Sequence, residues 1–297
     1  MTTRRDFLGT AGASLLGLMA SVKTRGIFAK GAPSSFKGPY GLELYSLRNQ
    51  IKRGDASTVE AALSYAKQVG YTEIEVPELY GLTAADFRKR LDQAGLPCTS
   101  LMTTYDECQN HLEDVIQNAH TLGAGNIINV WIPHNGPFTL SVCQQAIADY
   151  NTWGEKVHAA GLRFGHHTHG YEFQPYHGRP LFDMLIDQTH PSSVEYEMDI
   201  FWVVDAGESP VAYLQRYPNR FRLLHLKDMR KGPPVKNYTG GAPLSWDVPL
   251  GTGRIDLKGI LREALKIGVK QFYVEDESNN SRQNIIQSLH FLKTVKL

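Results

Sequence analysis

The chain has 297 residues, 42% of them hydrophobic and 21% charged, and a formal net charge of +1. That length and balance describe one large globular domain with a full core. Lysine and arginine are scattered, which excludes the basic footprint of a nucleic-acid or anionic-membrane binder.

At the start, Thr3-Arg4-Arg5-Asp6-Phe7-Leu8 precedes Gly-rich, moderately apolar residues through Ala20. This matches a twin-arginine export signal, read over residues 1–30 with cleavage after Ala29, and predicts an exported, periplasmic protein. Its apolar stretch is too short to cross about 30 Å of hydrocarbon, so no stable span is expected in the mature chain. Residues 31–39, rich in Gly, Pro and Ser, read as a linker, and 40–297 as the single domain.

From there, short apolar runs alternate with stretches of helical period. The predicted strands are Tyr40–Tyr45, Glu73–Val76, Pro97–Met102, Asn126–Trp131, Leu162–His167, Val194–Asp199, Arg222–Leu226 and Gln271–Glu275. Between them, Thr58–Val69, Ala84–Ala94, Leu112–Leu122, Leu140–Ala160, Pro180–Gln188, Val211–Tyr217 and Leu257–Ile267 repeat apolar residues at spacings of three and four. Gly70, Gly95, Gly123, Gly161 and Gly268 follow as expected left-handed caps. Eight strand–helix repeats predict an α/β fold, a (β/α)₈ TIM barrel, which places chemistry at the C-terminal strand ends. A doubly wound sheet is the alternative, but no G-x-G-x-x-G follows the first strand and no phosphate-loop motif occurs. Lys231 to Asp256, irregular and Gly/Pro-rich, is expected to cover a ligand on the active face. Cys98, Cys108 and Cys143 lack CxxC spacing, so neither a zinc knuckle nor a disulfide framework is indicated.

Gly165-His166-His167-Thr168-His169-Gly170-Tyr171-Glu172 packs three imidazoles and a carboxylate against the end of the fifth strand. Imidazole suits both metal binding and proton transfer near neutral pH. His167, Asp199, His225 and Glu275 end strands five to eight, and their mixed nitrogen and oxygen donors suit Mn²⁺, Co²⁺, Fe²⁺, Zn²⁺ or Mg²⁺ without choosing among them. His166 is expected to face a neighbouring layer, because successive strand residues point opposite ways.

Leu42-Glu43-Leu44-Tyr45-Ser46-Leu47-Arg48, Gly70-Tyr71-Thr72-Glu73-Ile74-Glu75, Met198-Asp199-Ile200-Phe201-Trp202, Leu224-His225-Leu226-Lys227-Asp228 and Tyr273-Val274-Glu275-Asp276 together resemble the sugar phosphate isomerase/epimerase family of xylose isomerase-like TIM barrels. The resemblance runs from about Tyr40 to the C-terminus. It implies a metal held by Asp199, His225 and Glu275 and by a residue of the fifth strand. A glutamate is common there; this chain has His167-Thr168-His169, with Glu172-Phe173 following, so His167 takes the ligand place and His169 faces substrate.

Losing that glutamate weakens two-base epimerisation unless Glu75 or Glu172 reaches the site. The expected chemistry is proton abstraction next to a sugar carbonyl through a metal-stabilised enediolate, with Glu275, His169, Glu75 and Lys227 as catalytic candidates. Metal charge would make Glu275 a weak base unless burial compensates. Glu172, Tyr45, Arg48, Trp131 and Trp202 are the substrate-binding candidates; the aromatics could stack on a sugar and Arg48 could hold an anion. The leading reading is a metal-dependent isomerase or epimerase of a small-molecule carbohydrate. Its rival is a lyase on 3-keto-sugars or glycosides, favoured by the missing glutamate and by export, since phosphorylated sugars are scarce outside the cytoplasm. A non-catalytic sugar-binding barrel and a metal-dependent nuclease rank below these. A homo-oligomer is compatible with the sequence.

Overall fold

The computed structural model describes residues 35–297, so the twin-arginine segment and its cleavage site lie outside the described residues. Eight parallel strands close into a barrel: β1 (Gly41–Glu43), β2 (Glu73–Val76), β3 (Cys98–Thr103), β4 (Asn126–Asn129), β5 (Arg163–His167), β6 (Val194–Asp199), β7 (Phe221–Leu226) and β8 (Gln271–Val274). Strand β1 pairs with both β2 and β8, which completes the ring and leaves no edge. All eight predicted strands are present. Around them lie helices α1 (Ala56–Val69), α2 (Ala84–Ala94), α3 (Tyr105–Asn110), α4 (Leu112–Leu122), α5 (Leu140–Ala159), α6 (Leu181–Gln188), α7 (Ile200–Asp205), α8 (Pro210–Arg216), α9 (Leu257–Ile267) and α10 (Ser281–Thr294). Among the described residues no helix is long and apolar enough to cross a membrane.

Local chemistry sets the helix limits. Asp55, Thr83, Thr139 and Asp256 cap helix starts with their side-chain oxygens, and Gly70, Gly95, Gly123 and Gly268 close helix ends in the left-handed region. Gly161 does the same one residue beyond Ala160, left-handed with its N–H on the His158 carbonyl oxygen at the end of α5. Three helices were not expected. The run Ile200-Phe201-Trp202-Val203-Val204 of α7 has no polar face, so no three-four period marks it; α3 is only six residues long, and α10 buries Ile285, Leu289 and Leu292 at a helical spacing that the strand–helix rhythm did not single out. Tyr45, expected in a strand, lies in a 3₁₀ segment, Leu44–Gln50. Within the stretch read as linker, Phe36 is buried with its ring 5.1 Å from Phe272, so the packed unit begins before Tyr40.

The inward positions carry the functional information. His167 lies level with Glu197, Asp199 with His225, and His225 with Tyr273 across β5 to β8. Below this polar layer the interior is filled by Met102, Ile128, Leu223 and Tyr273. Gly41 makes that filling possible, because a β-carbon there would come within 2.5 Å of the Tyr273 ring and 2.7 Å of the Phe272 carbonyl oxygen. A packed plug under a polar mouth confines the chemistry to the C-terminal end of the barrel.

Candidate metal centre and active site

The side chains of His167, Asp199, His225 and Glu275 each offer one ligand atom, all within 4.8 Å of one another. His225 Nδ1 is 2.9 Å from Glu275 Oε2, and His167 Nε2 is 3.8 Å from Asp199 Oδ2. Asp199 is shaped by its place at the start of α7. Its Oδ1 accepts the backbone N–H groups of Phe201 and Trp202, at 2.8 and 3.4 Å, while Oδ2 is buried with no hydrogen-bond partner. A buried carboxylate oxygen without a donor is costly, and this one faces two imidazoles and a second carboxylate. The residues therefore fit a divalent cation of mixed nitrogen and oxygen preference.

Two carboxylates behind this set hold the imidazoles. Glu197 Oε2 is 2.9 Å from His167 Nδ1 and 3.2 Å from His225 Nε2, and Glu75 also bonds His225 Nε2. Such outer carboxylates fix ring orientation and raise ligand basicity. Burial, then the neighbouring Glu75 charge, pushes the Glu197 carboxyl up to about 8; burial, opposed by Lys227, pushes Asp199 up to about 7. Carboxylates crowded in so dry a mouth call for positive charge. Glu197 was absent from the expected site, although it lies two residues before Asp199 and so shares its inward face. Glu197→Gln is expected to lower metal affinity about 10–100-fold, read by chelator competition; unchanged affinity would show that Glu197 does not support the centre.

The remaining candidates divide into those the structure brings to the mouth and those it takes away. His169 reaches it. Its ring makes no hydrogen bond among the described residues, its Nδ1 is buried without a partner, and it packs edge-on to Trp131 at 5.4 Å and 5.7 Å from Trp202. Burial pushes its pKa down to about 4, so it is a neutral base at physiological pH. Lys227 also reaches the mouth, with Nζ 2.5 Å from Glu277, 3.4 Å from Glu275 and 3.6 Å from Asp199. Burial disfavours its charge, but those carboxylates outweigh burial and keep it protonated. Burial likewise pushes Glu275 up, yet Lys227 and His225 prevail and hold it well below the ordinary carboxylate range. Glu275 is thus suited to hold a cation and is a poor base.

Glu75 and Glu172 do not reach the cavity. Glu75 lies against the His225 ring. Gly170 turns the chain outward at φ +87°, and Glu172 is buried with Oε1 2.8 Å from His166 Nε2 and both oxygens accepting the His169 backbone N–H. Glu172 therefore sets where His169 sits, and its expected substrate contact is corrected to that supporting role. His166 faces the helix layer, bonded to Tyr150 of α5 at 2.8 Å. Arg48 is corrected too: its guanidinium donates to the Glu277 and Tyr45 carbonyl oxygens and lies 4.4 Å over the Tyr45 ring, so it is occupied by the protein.

A cavity of about 770 Å³ opens over the centre, lined by Tyr45, Trp131, His167, His169, His225 and Glu275. A second pocket of about 180 Å³, lined by Trp131, His169, Trp202 and Lys227, adjoins it, and Gly240–Leu244 of the long loop line this smaller pocket. Glu43 was not expected here. It lines the larger cavity, is 1% exposed, has no partner for either oxygen, and burial with the nearby Glu275 charge raises its pKa well above normal. A charged residue between Leu42 and Leu44, on an inward strand position, was the available sign.

Residues 63–295 match the family model described as xylose isomerase-like TIM barrel. The chain belongs to that family. Among curated proteins, this xylose isomerase-like barrel is similar to inosose dehydratase from Clostridium beijerinckii, 27% identical over 237 residues covering 70% of this chain and 78% of the relative. Among solved structures it resembles a sugar phosphate isomerase/epimerase from Parabacteroides distasonis, with TM-score 0.71 and 21% identity over 89% of this chain and 98% of that one. It also resembles the IolI protein with a bound zinc atom, with TM-score 0.66 and 13% identity over 86% of this chain and 96% of that one. At these identities the structural likenesses establish the fold.

Proposed function

We propose that this barrel is a metal-dependent lyase that removes a proton next to the carbonyl of a keto-sugar or cyclitol and expels the group on the following carbon. The observation that carries the reading is the arrangement in the mouth: the His169 imidazole is free of hydrogen bonds with its pKa pushed down to about 4, and it shares its cavities with Glu43, whose carboxyl burial raises, and with Lys227, whose ammonium the surrounding carboxylates favour. One base with nearby acids suits elimination. The two carboxylates that a two-base epimerisation needs, Glu75 and Glu172, are bonded elsewhere. The dehydratase relative supports the same choice.

His167, Asp199, His225 and Glu275 would hold a divalent cation, which when bound supplies Lewis-acid polarisation of the substrate carbonyl oxygen. Trp131 and Trp202 flank the His169 ring and fix its orientation towards the cavity. His169 takes the proton from the carbon beside the carbonyl. The carbon–oxygen bond at the next carbon then breaks, its electron pair leaves with oxygen, and Lys227 or Glu43 supplies the proton, so that a hydroxyl departs as water. General acid–base assistance of this kind contributes about 10²–10⁴-fold. The expected isomerase shares the first step and differs only in returning the proton to a neighbouring carbon. An exported, folded and metal-loaded enzyme, as the twin-arginine reading implies, would meet substrates without phosphate.

Incubation of the Mn²⁺-loaded protein with an inosose and with 3-keto-glucose in D₂O tests this. Release of water with an unsaturated product is the expected result. A deuterated isomer in its place assigns isomerisation, and ligand-induced stabilisation with no exchange at any carbon makes the barrel a binding protein.

A further inference from the structure

The larger cavity is bigger than the reacting ring requires and is chemically divided. His167, His225 and Glu275 form one end, while Pro77, Leu79, Leu82, Leu101, Met102 and Val115 line an arm leading away over β2, β3 and α4. About 770 Å³ lies within the range of pockets that enclose drug-sized ligands, well beyond one six-membered ring. Thr103, Thr104 and Asn118 lie among these apolar side chains, and Glu78, paired with Arg53, and Glu107 lie beside them, so the arm offers apolar surface with no unpaired cation. The geometry points to a substrate in which the keto-sugar ring carries an apolar or aromatic substituent, a glycoside whose aglycone fills this arm. The inference rests on the carbohydrate reading above and specifies its substrate class.

Charge argues against an anionic substituent. Glu43, Glu78, Glu107 and Glu277 border the cavity, and its one lining arginine, Arg53, is already paired with Glu78. Arg48, the other cation near the rim, bonds the Glu277 carbonyl oxygen. A phosphate in the arm would meet the Glu107 carboxylate and an arginine already paired with Glu78, with no free cation among these residues. Tyr45, 39% exposed at the rim, offers a flat face to an aromatic ring entering the arm. Burying even one added methylene in such a pocket is worth about tenfold or more in discrimination.

Calorimetry with phenyl β-glucoside and methyl β-glucoside on the full, metal-loaded protein reads the arm without depending on turnover. Phenyl β-glucoside is expected to bind at least about tenfold more tightly. Leu82→Trp and Asn118→Trp, two half-buried positions that would fill the arm from different sides, are each expected to bring the phenyl compound down to the methyl affinity while leaving the methyl affinity unchanged. Equal affinities in the wild type, including no binding of either, or a preference that survives both substitutions, would overturn the assignment. A preference for phenyl without turnover of any keto-sugar would instead count against the lyase reading and leave the arm standing; turnover without the preference would do the reverse.

Discussion

His225→Gln is expected to abolish metal retention and lower activity by more than about 10³-fold, the combined loss of a donor and of the polarisation a cation supplies. The ring touches three carboxylates at once: Glu275 through Nδ1, and Glu75 and Glu197 through Nε2. A neutral amide satisfies fewer of them and leaves like charges facing one another in a dry mouth. Removing one member of such a buried set typically costs about 3–5 kcal/mol, so the melting temperature falls together with activity. Metal analysis and thermal unfolding on the same preparation check both parts. A variant that keeps its metal and its stability would show that His225 is an ordinary core histidine.

His169→Ala should separate chemistry from the metal centre. Its imidazole makes no hydrogen bond to the four donors, and its place is fixed through its backbone by Glu172. The variant is therefore expected to retain metal at wild-type affinity while solvent deuterium exchange at the carbon beside the carbonyl slows by about 10²–10⁴-fold. Glu275→Gln offers the contrast: a carboxylate held ionised by Lys227 and His225 acts as a donor, so its loss lowers metal affinity. Exchange persisting at the wild-type rate in His169→Ala would return the base role to a carboxylate.

The barrel was legible because its rhythm is repeated eight times and each strand is bounded by a glycine, a cap or a loop. Of the helices that escaped, α7 is apolar all round, and no polar face announces it. Within the site, residues that end strands were visible as polar interruptions, which is how His167, Asp199, His225 and Glu275 were found together. Glu197, level with His167, and Glu43, the last residue of β1, sit among apolar strand residues where a charged residue is easily read as a surface position; their inward direction follows only when the alternation is counted from Asp199 or from the strand's apolar neighbours. Arg48 and Glu172 were misread for a different reason. Both have the chemistry to meet substrate, but their partners, the Glu277 carbonyl and His166, are set by chain turns that no local pattern records.

The central claim is that four side chains from consecutive strand ends converge on one cation. Native mass spectrometry of the wild-type protein loaded with Mn²⁺, Co²⁺ or Zn²⁺, with Asp199→Ala and His167→Ala beside it, measures this directly. The account predicts one metal ion per wild-type chain and none in either variant; a wild-type chain that stays metal-free under every loading condition, or variants that bind as well as it does, would contradict it.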